Sequence, residues 1–508
     1  MKMMTCMNVK EYMIAWLFMI SILSLFYTCK SDPVQQENAS IYLLDSTYVR
    51  VTPMASHLDV PWEITGGPND EIWFTEQAGK VNKIDAESGH VKTLLTLPDL
   101  YRERTSGLLG MVVHPNMSET PYIFIAYSAR KSDHVHVSRV VRYTYKTDTL
   151  INPLTILEYP AWKGHFGARV AIAPDGKLIV ATGDGAQDEN AQDIASPNGK
   201  ILRFNVDGSI PSDNPFANSA VWAWGLRNPQ GLAFSSKGIL YNSDHGDATD
   251  DEVNMIQKGG NYGWPKIAGY VDTPEERLFA KDSILVPPLQ AWTPTIAPAG
   301  LVYYTSAEIP EWKNTLLLAI LKGNSLYALP LNKEGTKTDT VYHFFERAFG
   351  RIRAVYASPD GAVYIATSNR DWNPNGFAGD DDDRILQIKK VDKKAIKEEV
   401  ALKAKAIHDG KETRSEGEVL YTNYCASCHK PNGRGLMGTY PALVQNKVVE
   451  GETTNFVNLV LNGKKEMPSF SFLSDHDMAI VLSYVRKKFA SKRGQISQDD
   501  IKKNRANQ

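Results

Sequence analysis

The stretch DGKLIVATGD, residues 175–184, opens on an Asp-Gly turn pair, runs through Leu178, Ile179 and Val180, and closes on a second turn signal at Gly183 and Asp184. An apolar, β-branched run bounded by turn residues reads as a short buried strand. The same pattern returns in NDEIWFTE from residue 69, TPYIFIAYS from 120, KGILYNSD from 237, TLLLAI from 315 and DGAVYIATSN from 360. Weaker strand signals surround each one, and helical periodicity is scarce. Six such units in about 350 residues predict an all-β six-bladed β-propeller over residues 40–390, whose strand ends face a central channel where ligands bind.

The whole chain has 508 residues, more than a single core usually supports, so a second domain is expected. With 43% hydrophobic and 22% charged residues and a net charge of −2, it is ordinarily globular and gives no reason to expect a nucleic-acid partner. From residue 389, KKVDKKAIKEEVALKAKAIHDGKETR is dense in Lys, Glu and Ala, which predicts a charged helical linker over 391–411.

Beyond the linker, NYCASCHKPNGRG at 423–435 places Cys425 and Cys428 two residues apart with His429 next to the second. That is the attachment pattern of a c-type haem: both thiols bond the haem vinyl groups and His429 ligates the iron. Ser415–Tyr424 reads as an entering helix. SDHDMAIVLSYVRKKF, Ser474–Phe489, reads as a closing helix with Ser474 and Asp477 as a capping box. Between them, NGKKEMPSF sets Met467 before Pro468, resembling the Met-Pro loop that supplies the sixth iron ligand in cytochromes c; Met437 is the rival. A small all-α cytochrome c domain is therefore expected over 412–490, followed by a polar solvated tail at 491–508.

At the other end, Lys2 and Lys10 precede YMIAWLFMISILSLFYTC, Tyr12–Cys29, and the polar KSDPVQQENAS follows at once. This is an export signal over 1–29. Cys29, with Leu25 four residues before it, sits where a bacterial lipoprotein signal has its acylated cysteine, so a lipid anchor in the periplasm or cell envelope is favoured over a retained helix. Of the four cysteines only Cys425 and Cys428 belong to the mature body, so no disulfide framework is available.

Several stretches give the first domain a family likeness: GLLGMVVHP (107–115), GHFGARVAIAPDGKLIVATGDG (164–185), NGKILRFNVDGSIPSDNPF (198–216), AWGLRNPQGLAF (223–234), DHGDATDDEVNMIQKGGNYGWPKIAGY (244–270) and GRIRAVYASPDG (350–361). In this order they resemble the soluble aldose dehydrogenases of the glucose and sorbosone type, which use pyrroloquinoline quinone (PQQ). The resemblance implies a six-bladed propeller holding PQQ and calcium in the channel mouth. It implies that His165 is the general base, that Arg227 stabilises the reduced quinone oxygen, and that Asn228 contacts the cofactor. Lys322, Arg351 and Arg353 match the basic residues around the PQQ carboxylates, where guanidinium forks pair well. Calcium is expected on the backbone carbonyls of Gly246 and Asp247, and Ala268, Tyr270 and Asp272 match part of a second calcium site found at the subunit contact of some members, which would suit a homodimer. The remaining carboxylate of that site has no counterpart legible in the sequence.

Two departures bear on substrate. Glucose-oxidising members carry a glutamine before the GLLG strand where this chain has Thr105 and Ser106, and Gly164 stands where some carry an aspartate. Trp292 falls near an aromatic that can stack on a sugar ring. The expected activity is oxidation of a small-molecule aldose to its lactone with PQQ, the electrons passing to the chain's own haem c and then to an external cytochrome or respiratory component. A calcium-dependent lactonase propeller with a haem domain would instead need carboxylate metal ligands in the channel. A non-enzymatic binding propeller would have no use for His165, Arg227 and the Arg351/Arg353 pair.

Overall fold

A computed structural model describes residues 39–85, 89–160, 164–371, 378–393, 396, 402–403, 407–408, 415–430, 432–435, 440–464, 467, 469–471, 473–490 and 494–506. The proposed signal over 1–29 lies outside these residues, and among the described residues no helix is long and apolar enough to cross a membrane. Residues 39–508 form one compact unit.

Six sheets, antiparallel but for one outer pair in the sixth, make a propeller, and each expected strand is the second strand of its blade: Ile72–Glu76, Tyr122–Ser132, Leu178–Thr182, Leu240–Asp244, Thr315–Ile320 and Val363–Thr367. These strands are paired on both edges and largely buried, which is why most of them read as short apolar runs. The first strands, Pro61–Gly66, Leu108–Val113, Gly167–Ile172, Pro229–Phe234, Pro298–Tyr304 and Ile352–Ala357, touch one another in a closed cycle around the channel. Tyr48–Ala55 completes the last blade by pairing with Ile385–Lys390, so the chain's first long strand locks its last, closing the ring. Apolar clusters fill the seams between blades; one, with Trp312, Tyr304 and Phe344 at its centre, joins the fifth and sixth.

The C-terminal domain is helical: Glu416–Tyr424, Ala426–His429, Lys447–Glu450, Thr453–Asn462, Asp475–Phe489 and Gln498–Arg505. Ser415 and Ser474 cap the entering and closing helices through the backbone N–H groups of Glu418 and Asp477. Val457, Leu461, Met478, Val481 and Val485 form its core, with Leu420 and Tyr421.

Two expectations are corrected. The linker over 391–411 is not a helix in its described part: Leu402–Lys403 pairs with Ser40–Leu43 on the outer edge of the sixth blade, and Ile407–His408 pairs with Tyr342–Phe344 on the fifth. Exposed strand edges carry unpaired backbone groups that an extended segment satisfies, which a helix lying in solvent does not. The tail is not wholly solvated either. Gln498–Arg505 is a helix with a Ser497/Asp500 capping box, Ile496 and Ile501 are buried in the domain core, and Arg505 pairs with Asp475 at 2.8 Å. Two isoleucines five residues apart in a polar stretch give too weak a period to announce a helix.

Candidate active site

His165 sits in the loop entering strand Gly167–Ile172, with φ of 50°. Its backbone is so close to the facing strand end that a Cβ on Gly183 would lie 1.8 Å from the His165 carbonyl oxygen, so only glycine fits there. The ring Nδ1 is 2.7 Å from Asp184 Oδ1. Asp184 is fully buried, and it also accepts from the Ala186 N–H at 2.7 Å and from Trp264 Nε1 at 2.9 Å. Because every partner of the carboxylate is a donor, His165 presents Nδ1–H to it and keeps Nε2 as the lone-pair nitrogen. Sequence reading missed Asp184; the TGDG turn that carries it was legible only as the end of a strand.

Arg227 and Asn228 lie beside the His165 loop, on the turn before strand Pro229–Phe234, where the Asp184 N–H donates to the Arg227 carbonyl at 2.8 Å. Their backbone N–H groups donate to Asp244 at 3.0 and 2.6 Å. Burial pushes Asp244 up to about 7, against the pull of those two bonds. Arg227 Nη2 reaches Asp247 Oδ1 at 2.8 Å and its guanidinium stands 5.2 Å from the Trp264 ring, while its buried Nε has no hydrogen-bond partner among the described residues. Asn228 Oδ1 accepts from the Gly167 N–H at 3.1 Å, tying the two loops together.

Arg351 and Arg353, at the start of strand Ile352–Ala357, are both buried and share one carboxylate oxygen, Asp371 Oδ2, at 3.4 and 2.5 Å. Lys322 donates from Nζ to Thr295 Oγ1 at 2.8 Å, and burial pulls its ammonium down to about 8. Burial, helped by the charges of Arg353 and Arg227, also holds His245 neutral, down to about 3. Arg227, Lys322, Arg351 and Arg353 thus line a cavity whose only acidic lining residues, among those described, are Asp247 and Asp371. A concave site with surplus buried cation and an orphaned guanidinium N–H fits a multiply charged anion such as PQQ.

Gly246 and Asp247 form a tight loop: the Gly246 N–H donates to Asp251 Oδ1 at 2.8 Å, and a Cβ on Gly246 would meet the Thr249 carbonyl at 1.9 Å. Among the described residues no group of three His, Cys, Asp or Glu side chains is arranged to hold a metal, so a cation here would depend on carbonyl oxygens, which suits calcium. At the second candidate site, the Ala268 and Asp272 N–H groups both bond Glu276, at 3.2 and 3.1 Å, and Tyr270 is exposed. The Gly269 N–H bonds Glu252 at 2.9 Å. Glu252 and Glu276 are thus the two carboxylates bonded to this turn, both through its backbone N–H groups.

Gln77 also lines the mouth, but its amide donates to the Arg104 and Ser106 carbonyls, both at 3.0 Å, and so holds the turn bearing Thr105. Trp292 packs against Tyr327, with 6.2 Å between ring centroids, and is not among the cavity-lining residues; Trp62 lines the cavity instead.

In the helical domain, Cys425 is the N-cap of the short helix Ala426–His429, which carries Cys428 and His429 in its single turn. Burial pushes the Cys425 thiol up to about 12. His429 Nδ1 is 2.9 Å from the Pro441 carbonyl oxygen, which fixes that nitrogen as a donor and leaves Nε2 for a metal. Met467, held in a turn by reciprocal backbone bonds with Lys464, lines the same crevice, walled by Phe456, Val460, Phe470 and Val481. An apolar slot with one His and one Met fits haem c. Met437 lies outside the described residues. The propeller mouth and this crevice are not separate: one cavity of about 1070 Å³ is lined by His165, Arg227, Lys322 and Arg353 and by Cys425, Cys428, His429 and Met467.

Comparison with known proteins agrees with both halves. Residues 58–373 match the family described as Glucose / Sorbosone dehydrogenase, and residues 412–485 match Cytochrome C oxidase, cbb3-type, subunit III. The chain is 33% identical over 405 residues to Quinoprotein glucose dehydrogenase B of Acinetobacter calcoaceticus, covering 61% of this chain and 84% of that one. It is 37% identical over 76 residues to cytochrome c6 of Cyanidium caldarium, covering 14% of this chain and 68% of that one. The PQQ-bound aldose sugar dehydrogenase of Streptomyces coelicolor superposes with a TM-score of 0.59 at 29% identity, over 68% of this chain and 98% of that one. The chain therefore belongs to the glucose/sorbosone dehydrogenase family of PQQ-dependent sugar dehydrogenases, and it carries a cytochrome c domain at its C-terminus.

Proposed function

We propose that this chain oxidises an aldose at its anomeric carbon to the lactone and delivers the electrons, one after the other, to its own haem and then to an external acceptor. The observation that carries this reading is the single cavity lined by both sets of residues. When bound, PQQ supplies an ortho-quinone that accepts a hydride equivalent, calcium a Lewis acid beside it, and haem c an iron that passes electrons singly.

The chain's own residues do the rest. His165 Nε2 takes the proton of the anomeric hydroxyl, and the Asp184 carboxylate at Nδ1 orients the ring and stabilises the imidazolium that results. Arg227, aimed by its backbone bond to Asp244 and by Trp264, stabilises negative charge at the reacting oxygen. Lys322, Arg351 and Arg353 would hold the cofactor carboxylates, Asn228 would contact the cofactor, and Gly246 and Asp247 would offer carbonyls to calcium. Cys425 and Cys428 would hold the haem covalently, and His429 and Met467 would ligate its iron. The lactonase alternative loses ground because it needs a carboxylate-ligated metal that the described residues do not assemble. Export and lipid attachment at Cys29 complete the proposal and put the external acceptor at a membrane.

The test is product analysis: the protein loaded with PQQ and calcium, given a panel of aldoses and a dye acceptor, should yield the lactone, and omitting PQQ should abolish it. Hydrolysis of lactones without any redox product would overturn the reading.

A further inference from the structure

Lys322 belongs to two sites at once. On the propeller side it lines the cavity beside Arg351 and Arg353 and donates to Thr295. On the other side its Nζ stands 4.7 Å from the centroid of the Tyr424 ring. Tyr424 ends the helix Glu416–Tyr424 and is followed directly by Cys425. Its ring is held edge-on to Phe470, with 6.3 Å between centroids, and packs on the core of the helical domain.

A second contact comes from the same helix: Glu418 Oε1 is 4.0 Å from Arg347 Nη1. The propeller residues that take part are themselves bonded together. The Arg347 N–H donates to the Asn324 carbonyl at 2.8 Å, and Asn324 Nδ2 donates to the Lys322 carbonyl at 3.1 Å. The 322–324 turn and the 345–348 loop therefore form one platform that meets one helix of the haem module.

We propose that this platform is the docking surface of the haem module, and that Tyr424, through its ring on the Lys322 ammonium, is a positioning residue for the anionic cofactor. This rests on the reading of the cavity as the PQQ site given above. A lysine stem is flexible, and ordering it against an anionic ligand costs entropy. An ammonium over an aromatic face within about 6 Å is held by the ring quadrupole, most strongly where water is excluded. The ring occupies none of the carboxylate acceptors, so it orders the cation without competing with the cofactor for a partner. By linkage, whatever factor the docked module adds to cofactor affinity, the cofactor adds to docking. The linker strands at 402–403 and 407–408 pair to two blades, so the chain follows the propeller as far as residue 408.

The test is equilibrium binding of PQQ to the full-length, haem-loaded protein in calcium buffer, followed by ultrafiltration and absorbance of the free cofactor. Tyr424→Phe keeps the ring and should bind within about twofold of wild type. Tyr424→Leu should bind roughly three- to thirtyfold more weakly while the haem absorption spectrum stays unchanged. Wild-type affinity in Tyr424→Leu overturns the proposal. If that variant loses its haem spectrum, the charge exchange decides: Arg347→Glu and Glu418→Arg should each weaken binding about two- to fivefold and the double variant should restore it. Single variants that bind as wild type then overturn the proposal. A wild type that binds no PQQ defeats both readings, whereas one that binds PQQ but leaves its haem oxidised defeats only the electron relay.

Discussion

Asp184→Asn tests the base assignment most sharply. The carboxylate accepts from three donors, with Oδ1 serving His165 and Ala186 and Oδ2 serving Trp264. An amide offers one acceptor and one NH2 group, so either orientation sets two donors face to face. With the oxygen kept on His165, the amide nitrogen meets the Trp264 N–H; with it reversed, His165 must accept at Nδ1 and carry its proton on Nε2, where the base should be. The first orientation still loses the charge that stabilises the imidazolium. Turnover should fall about 10²- to 10⁴-fold, the range of a positioned base and its orienting carboxylate. The unsatisfied donor in a fully buried position should also cost about 1–3 kcal/mol of stability. Dye-linked kcat and KM on the loaded protein, with PQQ retention measured alongside, read the first effect, and denaturant unfolding reads the second. Adding Trp264→Phe removes the clashing donor and should recover stability without recovering kcat. A folded, PQQ-loaded Asp184→Asn protein with kcat within threefold of wild type would refute the role given to His165.

Other consequences are as direct. Met467→Ala should lower the haem potential and let external ligands reach the iron while the covalent haem stays attached, as read by redox titration and by the spectrum with added imidazole. Cys29→Ala should release the protein expressed in a bacterial host from the membrane fraction, or block its processing; unchanged partition and processing would favour a retained helix. Glu252 is pushed up to about 8 by burial, with Asp244 adding like charge, from an unfolded value of about 4.3. Its folded form binds the proton more tightly, so without calcium wild-type stability should fall as pH rises from about 4 to about 8, and Glu252→Gln should flatten that loss, measured by thermal unfolding at pH 5 and pH 8.

The propeller was legible because one strand per blade, the second, is largely buried and carries a short apolar run next to turn residues. Strands at the blade rims were not: Val91–Thr96 is mostly exposed and Thr149–Pro160 alternates irregularly across two register shifts. The paired segments at 402–403 and 407–408 were invisible because their partners, Ser40–Leu43 and Tyr342–Phe344, are distant in sequence and nothing in a Lys- and Ala-rich stretch names an edge to join. In the site, motif residues such as His165, Arg227 and Cys425 could be read directly. Asp184, Asp371 and Tyr424 could not, because each contacts a site residue that only the fold brings near it.

If sugar oxidation and haem reduction occur within one chain, no second molecule is needed to reduce the haem. The measurement is anaerobic stopped-flow absorbance of the haem after the protein loaded with PQQ and calcium is mixed with a sugar it oxidises, repeated over a tenfold range of protein concentration. The account predicts haem reduction at a first-order rate that does not change with protein concentration and that vanishes without PQQ. A haem that stays oxidised while the same preparation reduces a dye with sugar, or one reduced at a rate proportional to protein concentration, would contradict it.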